Sequence, residues 1–88
     1  MQYRVAQDVL AASVADETVL LDMRSKNYFR LNGTAARIWN ALERGCTVPE
    51  VVDELHGAFA AEREVVETET LRLVEALRER GLVEAGPR

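Results

Sequence analysis

The sequence predicts an α+β fold in which a three-stranded antiparallel sheet precedes three helices. Up to Asn32 the apolar residues alternate with polar ones and β-branched residues are frequent, whereas beyond Asn32 the apolar residues recur every three or four positions. The chain has 88 residues, 48% of them hydrophobic, which suits one small domain with a single core. We therefore expect residues 1–88 to form one domain.

The first part of the chain, about residues 8–32, is predicted to be a β-meander. Strands are expected over about residues 8–15, 18–24 and 28–31, where apolar and β-branched residues alternate with polar ones. The short polar segments between them are typical of tight turns, which join neighbouring antiparallel strands. In that order the second strand is central and the third lies at an edge of the sheet.

The second part of the chain has helical periodicity with clear start and stop signals. Gly45 and Gly81 follow the first and third helical patterns, as expected of residues that end helices. Thr47 and Glu50 have the spacing of a capping box at the start of the second helix. Residues 84–88 are expected to be frayed. The helices are predicted over about residues 34–44, 48–59 and 61–80.

Composition and charge exclude several classes of function. The formal net charge is −4, so the chain is not basic enough to bind nucleic acid by phosphate neutralisation alone. No apolar run approaches the ~18–20 residues that a membrane helix needs, and the N-terminus lacks the apolar core of a signal peptide. Cys46 is the single cysteine, which excludes an internal disulfide and fits a reducing cytoplasm. We expect a cytoplasmic protein that contacts neither membrane nor nucleic acid.

Residues capable of chemistry are few. Cys46 could act as a nucleophile only with a histidine and an orienting group nearby, and His56 is the one histidine. A single histidine and a single cysteine cannot assemble a metal cluster, and the glycines are too scattered for a phosphate-binding loop. The carboxylates of the third helix alternate with arginines, which is typical of a solvated helix face. We expect no catalytic residue, no metal and no cofactor.

The third helix has an unusually wide apolar face. At about 100° per residue its apolar arc is about 180° wide, whereas a surface helix usually needs a stripe of only about 100°. Either a small domain wraps closely around its longest helix, or one flank of the helix faces a groove that a partner fills. Glu69 projects inside this arc, where it reaches solvent or meets a cation. The arc comprises Val65, Val66, Thr70, Leu73, Val74, Ala76 and Leu77.

The predicted third strand, residues 28–31, offers a second binding feature. An edge strand presents unpaired main-chain N–H and C=O groups, and Arg30 is the only charged residue in this one. An exposed edge beside an over-wide apolar helix face is suited to taking up a peptide as an additional strand, with side-chain pockets against the helix.

A series of short motifs runs along most of the chain. It comprises Val19–Asp22, Tyr28–Asn32, Thr34-Ala35, Ile38-Trp39, Leu42, Gly45, Thr47, Glu50–Val52, Leu55, Phe59 and Leu77…Gly81-Leu82. The combined pattern, LLD…YF.LN.TA..IW..L..G.T..EVV..L…F, resembles the PqqD family. Members of this family recognise the precursor peptides of ribosomally made, post-translationally modified natural products. The YF.LN.TA..IW stretch looks most like the free-standing lasso-peptide B1 members.

The resemblance implies a winged-helix-like fold and a function. The leader segment of a precursor peptide would add as a strand in the cleft between the third strand and the third helix. The protein would then be a non-catalytic adaptor that delivers the precursor to a leader peptidase or another modifying enzyme, in lasso peptide biosynthesis. A PqqD-type chaperone of pyrroloquinoline quinone precursor synthesis is the alternative within the family.

The candidate site follows from the edge strand, the wide helix face and the resemblance together. We assign main-chain pairing to the third strand, apolar pockets to the third helix, and recognition of a basic leader residue to Glu69. The predicted peptide-binding residues are Tyr28, Phe29, Arg30, Leu31, Val65, Val66, Glu69, Thr70 and Leu73.

Two hypotheses of other classes compete with the adaptor. A winged-helix DNA-binding regulator would use the third helix for recognition. Residues 62–80 contain six Glu and four Arg, however, and a net negative helix is costly beside phosphates. A plain dimerisation module would show itself in the concentration dependence of its molecular mass.

Overall fold

The computed structural model describes residues 2–86, and the predicted order of a meander followed by three helices is confirmed within them. Each observed helix and strand of the predicted set lies within about two residues of its expected bounds. The elements are β1 (Tyr3–Val5), β2 (Val9–Val14), β3 (Glu17–Asp22), β4 (Asn27–Asn32), α1 (Gly33–Glu43), α2 (Val48–Ala58), α3 (Arg63–Glu79) and β5 (Val83–Ala85).

The meander forms an antiparallel sheet in the order β2-β3-β4. In the central strand β3, the side chains of Thr18, Leu20 and Asp22 are buried, whereas the intervening residues are half-buried. This alternation arises because successive side chains of a strand point to opposite faces of a sheet. One face of the meander therefore covers the helices, and β4 is an edge strand, as predicted.

A second, two-stranded sheet was not predicted. β1 pairs antiparallel with β5, with Tyr3 opposite Ala85 and Val5 opposite Val83. The expectation that the chain is frayed from residue 84 is therefore wrong for β5, while residues 87–88 lie outside the described residues. Tyr3 and Val83 are buried against the core, and this burial stabilises two strands that are too short to show a pattern in the sequence.

The capping box and the glycine stop predicted from the sequence are present at the ends of the helices. The Thr47 main-chain N–H donates to Glu50 Oε1 at 2.7 Å, and the Glu50 N–H donates to Thr47 Oγ1 at 3.3 Å, which completes the capping box. At the end of α3, Gly81 has φ +75° and the Leu82 N–H donates to the Leu77 carbonyl at 2.9 Å. This is a Schellman stop, in which a left-handed residue lets the chain turn back on the helix.

The helices pack around Trp39, whose side chain is fully buried. Leu20 from the sheet, Leu42 from α1 and Val51 from α2 are equally inaccessible and belong to the same cluster. The core thus fixes the sheet and the helices relative to one another, and it leaves β4 and α3 side by side. No helix within residues 2–86 is long and apolar enough to cross a membrane.

Candidate peptide-binding groove

An open groove runs between the free edge of β4 and the helix α3. Its first half lies at the start of β4, its second half at the end of β4, and Leu73 and Ala76 form a floor common to both. The first half is lined by Tyr28, Phe29, Arg30, Leu31, Leu73, Ala76, Leu77, Arg80 and Leu82. The second half is lined by Asn32, Gly33, Thr34, Ala35, Ile38, Glu69, Arg72, Leu73 and Ala76.

The register of the sheet determines which main-chain groups face this groove. β2 and β3 are joined by the two-residue turn Ala15-Asp16, so the flanking residues Val14 and Glu17 form a hydrogen-bonded pair. Hydrogen-bonded and non-hydrogen-bonded pairs alternate along antiparallel strands. The odd-numbered residues of β3 therefore bond to β2, and its even-numbered residues bond to β4.

The same alternation assigns the main-chain groups of β4. The even-numbered residues of β3 lie opposite Asn27, Phe29 and Leu31, whose N–H and C=O groups are thus used within the sheet. The N–H and C=O groups of Tyr28 and Arg30 consequently point to the open edge. The groove is bordered by a row of main-chain groups that an added strand can pair with.

The side chains of β4 alternate between the two faces of the sheet. Phe29 and Leu31 point to the helical layer, where Leu31 is buried and Phe29 is half-buried. Tyr28 and Arg30 point to the outer face of the sheet, and Tyr28 is 73% exposed. Arg30 Nε lies 3.1 Å from Glu17 Oε1 across the outer face. Strand β4 therefore contributes two apolar side chains and its free main-chain edge to the groove.

The wide apolar arc of α3 divides into two functional halves. One half, which includes Val66 and Thr70, is buried in the core. The other half is accessible: Leu73 is half-buried, Ala76 is exposed and Val65 is 52% exposed. One flank of the helix is thus wrapped by the domain, and the other lines the open groove.

This division changes the set of candidate residues on α3. Leu73 lines both halves of the groove and Glu69 lines the second half. Val65 lies beside Glu69 in a shallow depression at the start of the helix. Val66 and Thr70, which the sequence assigned to the peptide site, are packed in the core and line neither half of the groove. The Thr70 hydroxyl donates to the Val66 carbonyl at 2.8 Å, which satisfies its polar group within the helix.

We expect Thr70→Arg to destabilise the fold rather than to probe the groove. Thr70 has no exposed surface, and a long charged side chain has no space or partner there, so the free energy of unfolding should fall by about 3 kcal/mol or more. Thr70→Val keeps the shape and should change it by less than about 1.5 kcal/mol. Urea unfolding followed by circular dichroism measures both, and a stable Thr70→Arg variant would contradict the buried position.

Charged side chains stand along the rim of the groove. Glu69 Oε1 lies 3.2 Å from Arg72 Nη1, so the carboxylate that projects inside the apolar arc is paired within its own helix. At the other end the Arg80 guanidinium lies 5.2 Å from the centre of the Phe29 ring. Such a contact is a cation–π interaction, and it links α3 to β4 at one end of the groove.

Arg24 holds the turn before β4 to the end of α3. Its Nη2 donates to the Gly81 carbonyl at 2.9 Å, while its main-chain N–H donates to Asp22 Oδ1 at 3.0 Å. This N–H is the main cause that lowers the pKa of the Asp22 carboxyl below its ordinary value. Because folding lowers that pKa, the ionised Asp22 carboxylate contributes to the free energy of unfolding, and this contribution is lost as the pH falls through the folded-state pKa. The hydrogen bond from Arg24 to Gly81 fixes the spacing of β4 and α3 at the Tyr28 end of the groove.

Comparison with protein families gives a match over residues 17–83 to the family described as Coenzyme PQQ synthesis protein D (PqqD). The chain belongs to the PqqD family. The matched segment includes β3, β4 and all three helices, and hence both walls of the groove. No curated protein matches the sequence significantly.

Two solved structures are similar to this PqqD-family chain over nearly its whole length. TbiB1 in complex with the TbiA(beta) leader peptide has a TM-score of 0.91 and 30% identity, and the match covers 97% of this chain and 99% of that one. A lasso peptide synthetase B1 complexed with its leader peptide has a TM-score of 0.88 and 32% identity, covering 97% and 100%. The resemblance to lasso B1 proteins noted in the sequence is thus confirmed.

The two groups considered for catalysis, Cys46 and His56, lie outside the residues that line the groove. Cys46 is half-buried and packs against the core. The Nδ1 atom of the exposed His56 lies 3.1 Å from the Ala61 carbonyl oxygen. Within residues 2–86 no group of three His, Cys, Asp or Glu side chains is placed to hold a metal ion. The groove of this PqqD-family chain offers main-chain and apolar contacts, which serve binding.

Sequence reasoning missed several groove residues. Ala76 stood within the predicted apolar arc but was not among the predicted peptide-binding residues, because an alanine carries no sign of which flank it occupies. Arg80 lies at about 60° on the same angular scale, between Val65 and Leu73, and this position could have indicated a rim residue. Leu82 and the α1 residues Ala35 and Ile38 had no local signal, since only the packing of α1 and α3 brings them to the groove.

Proposed function

We propose that this protein is a non-catalytic adaptor of lasso peptide biosynthesis. It binds the leader segment of a ribosomally synthesised precursor peptide as an additional strand on β4 and delivers the precursor to a leader peptidase or another modifying enzyme. The observation that carries this proposal is the similarity, over 97% of the chain, to two B1 proteins whose structures contain a leader peptide.

The geometry of the groove supports strand addition. Tyr28 and Arg30 direct their N–H and C=O groups to the free edge. Facing that edge, Leu73 and Ala76 of α3 form the apolar floor of the groove. An extended peptide that pairs with β4 places every second side chain on this floor. Main-chain pairing supplies affinity with little dependence on sequence, and the fit of the inward side chains supplies selectivity.

An adaptor accelerates processing without chemistry of its own. A bound leader holds the rest of the precursor near the enzyme that the adaptor also contacts, which raises the effective concentration of substrate to about the millimolar range for a short flexible linker. We place this function in the cytoplasm, where Cys46 remains a thiol.

Two alternatives are weaker. The description of the family favours a PqqD-type chaperone of pyrroloquinoline quinone precursor synthesis, but both solved relatives are B1 proteins bound to leaders. A DNA-binding regulator is disfavoured because residues 62–80 carry six Glu and four Arg, which repels phosphates.

The first step is to search the short open reading frames beside this gene for a precursor; the experiment then uses its leader peptide and a scrambled peptide of the same composition. We expect saturable binding of the leader alone in calorimetry. Hydrogen exchange should slow in Tyr28 and Arg30 and in the turns of α3 that contain Leu73 and Ala76. Equal binding of the scrambled peptide, or protection confined to α2, would contradict the proposal.

A further inference from the structure

The strand β2 is a second open edge of the same sheet. Five of its six residues, Leu10 to Val14, are exposed, and Val9 is half-buried. It pairs with β3 on one side, and its segment Val-Leu-Ala-Ala-Ser-Val contains no charged residue and no proline. Open edges in proteins are usually protected by lysine, proline or a bulge, because an unprotected edge pairs readily with another strand.

The main-chain groups of this edge are in place for pairing. Since Val14 forms a hydrogen-bonded pair with Glu17, the even-numbered residues of β2 bond to β3. The N–H and C=O groups of Val9, Ala11 and Ser13 therefore point away from the sheet. They form a row of three residues that present both donors and acceptors.

The outer face beside this edge is apolar. Leu10 is 57% and Val14 is 65% exposed. Leu10 lies opposite Leu21 of β3, which lies opposite Tyr28 of β4, so an apolar row crosses the sheet. The charges that border this face are in ion pairs: Asp8 Oδ2 lies 3.9 Å from Arg24 Nε, and Glu17 Oε1 lies 3.1 Å from Arg30 Nε. A partner for β2 must therefore offer an uncharged strand with small and aliphatic side chains, which is the composition of β2 itself.

We infer that β2 pairs antiparallel with β2 of a second copy of this chain, across a twofold axis at Ala11. In this register Ala11 faces Ala11 of the second copy, and Val9 faces Ser13. All three residues with free main-chain groups are hydrogen-bonded. On the outer face Leu10 packs against Ala12 of the second copy, a large side chain against a small one.

Charge favours the register centred on Ala11 over the register centred on Ala12. Centred on Ala11, the pairing places Asp8 opposite Val14 of the second copy. Moving the axis to Ala12 would place Asp8 opposite Asp16 and leave only two residues with hydrogen-bonded partners. Like charges directly opposite destabilise a pair of strands. A shift by one residue would bring outward side chains opposite inward ones.

The dimer has a six-stranded sheet in the order β4-β3-β2-β2-β3-β4. Both β4 edges remain at its ends, so the two grooves stay open and the inference does not depend on what they bind. A contact along one six-residue strand buries less than the ~1,200 Å² of stable complexes. The dimer is accordingly weak and forms towards millimolar concentration.

The test is sedimentation velocity of the full chain from micromolar to millimolar concentration. The wild type should pass from monomer to dimer. Ala11→Lys and Ala11→Glu each place like charges face to face on the axis and should weaken the dimer at least about tenfold. An equimolar mixture of the two variants should dimerise again, because Lys then faces Glu. Ala60→Lys, an exposed position between α2 and α3, adds the same charge and should behave as wild type.

Circular dichroism shows whether each variant is folded. A wild type that remains monomeric at millimolar concentration overturns the inference whatever the variants do. If both Ala11 variants still dimerise, another surface pairs and the inference is overturned. If neither variant dimerises and their mixture does not restore the dimer, the inference is also overturned. Leader binding is measured separately at micromolar concentration, so its failure would contradict the proposed function and leave the dimer unaffected.

Discussion

Replacing Ala76 with glutamate should strongly weaken leader binding while the fold persists. Ala76 is exposed and lies on the floor of both halves of the groove, so a longer side chain occupies the space of the peptide. Glutamate is a good helix former, and Arg72 and Arg80 lie four residues away on either side, which favours the helix. The carboxylate loses water when a peptide covers it, and the leader affinity should fall about a hundredfold or more.

Leu71→Glu is the matched control for Ala76→Glu. Leu71 is 47% exposed and lies on the other side of α3, outside the residues that line the groove. It adds the same charge to the same helix, so any long-range repulsion of an acidic leader affects both variants equally. Fluorescence anisotropy with a labelled leader peptide measures the affinities, and thermal unfolding measures the folds. An unchanged affinity for Ala76→Glu would place the leader outside this groove.

Arg30→Pro should remove most of the leader affinity, whereas Arg30→Ala should not. The register directs the Arg30 N–H to the open edge, so a proline there deletes a donor to the leader and no donor of the sheet. Alanine removes the ion pair with Glu17 but keeps the N–H, and should cost less than about 1 kcal/mol in binding. The difference in leader affinity between the two variants measures the contribution of main-chain hydrogen bonding at Arg30.

Leu31→Pro provides the contrast within the same strand. The Leu31 N–H pairs with β3, and the Leu31 side chain is buried, so this proline should unfold the sheet rather than only weaken binding. Amide exchange of the free protein should leave β3 protected in Arg30→Pro and expose it in Leu31→Pro. If both prolines unfolded the sheet, or if Arg30→Pro bound leader normally, strand addition at this edge would be wrong.

Local signals made much of the fold predictable. A turn, a capping box or a helix stop depends on a few neighbouring residues, such as Thr47 with Glu50 or Gly81 with Leu82, and their hydrogen bonds close within one or two turns of the chain. The order of three strands joined by short turns then made β4 an edge. The pairing of β1 with β5 had no such signal, because its partners are separated by about eighty positions and each strand has only three residues.

The sequence by itself determined that a wide apolar helix and an unpaired strand exist, since periodicity and order along the chain are local properties. Tertiary structure alone decided which flank of α3 is core and which is groove. Thr70 and Ala76 both fall in one apolar arc, and only the packing of α3 against α2 and the rest of the core buries the first and leaves the second accessible. Burial depends on what lies opposite a residue, and for α3 those neighbours come from distant parts of the chain.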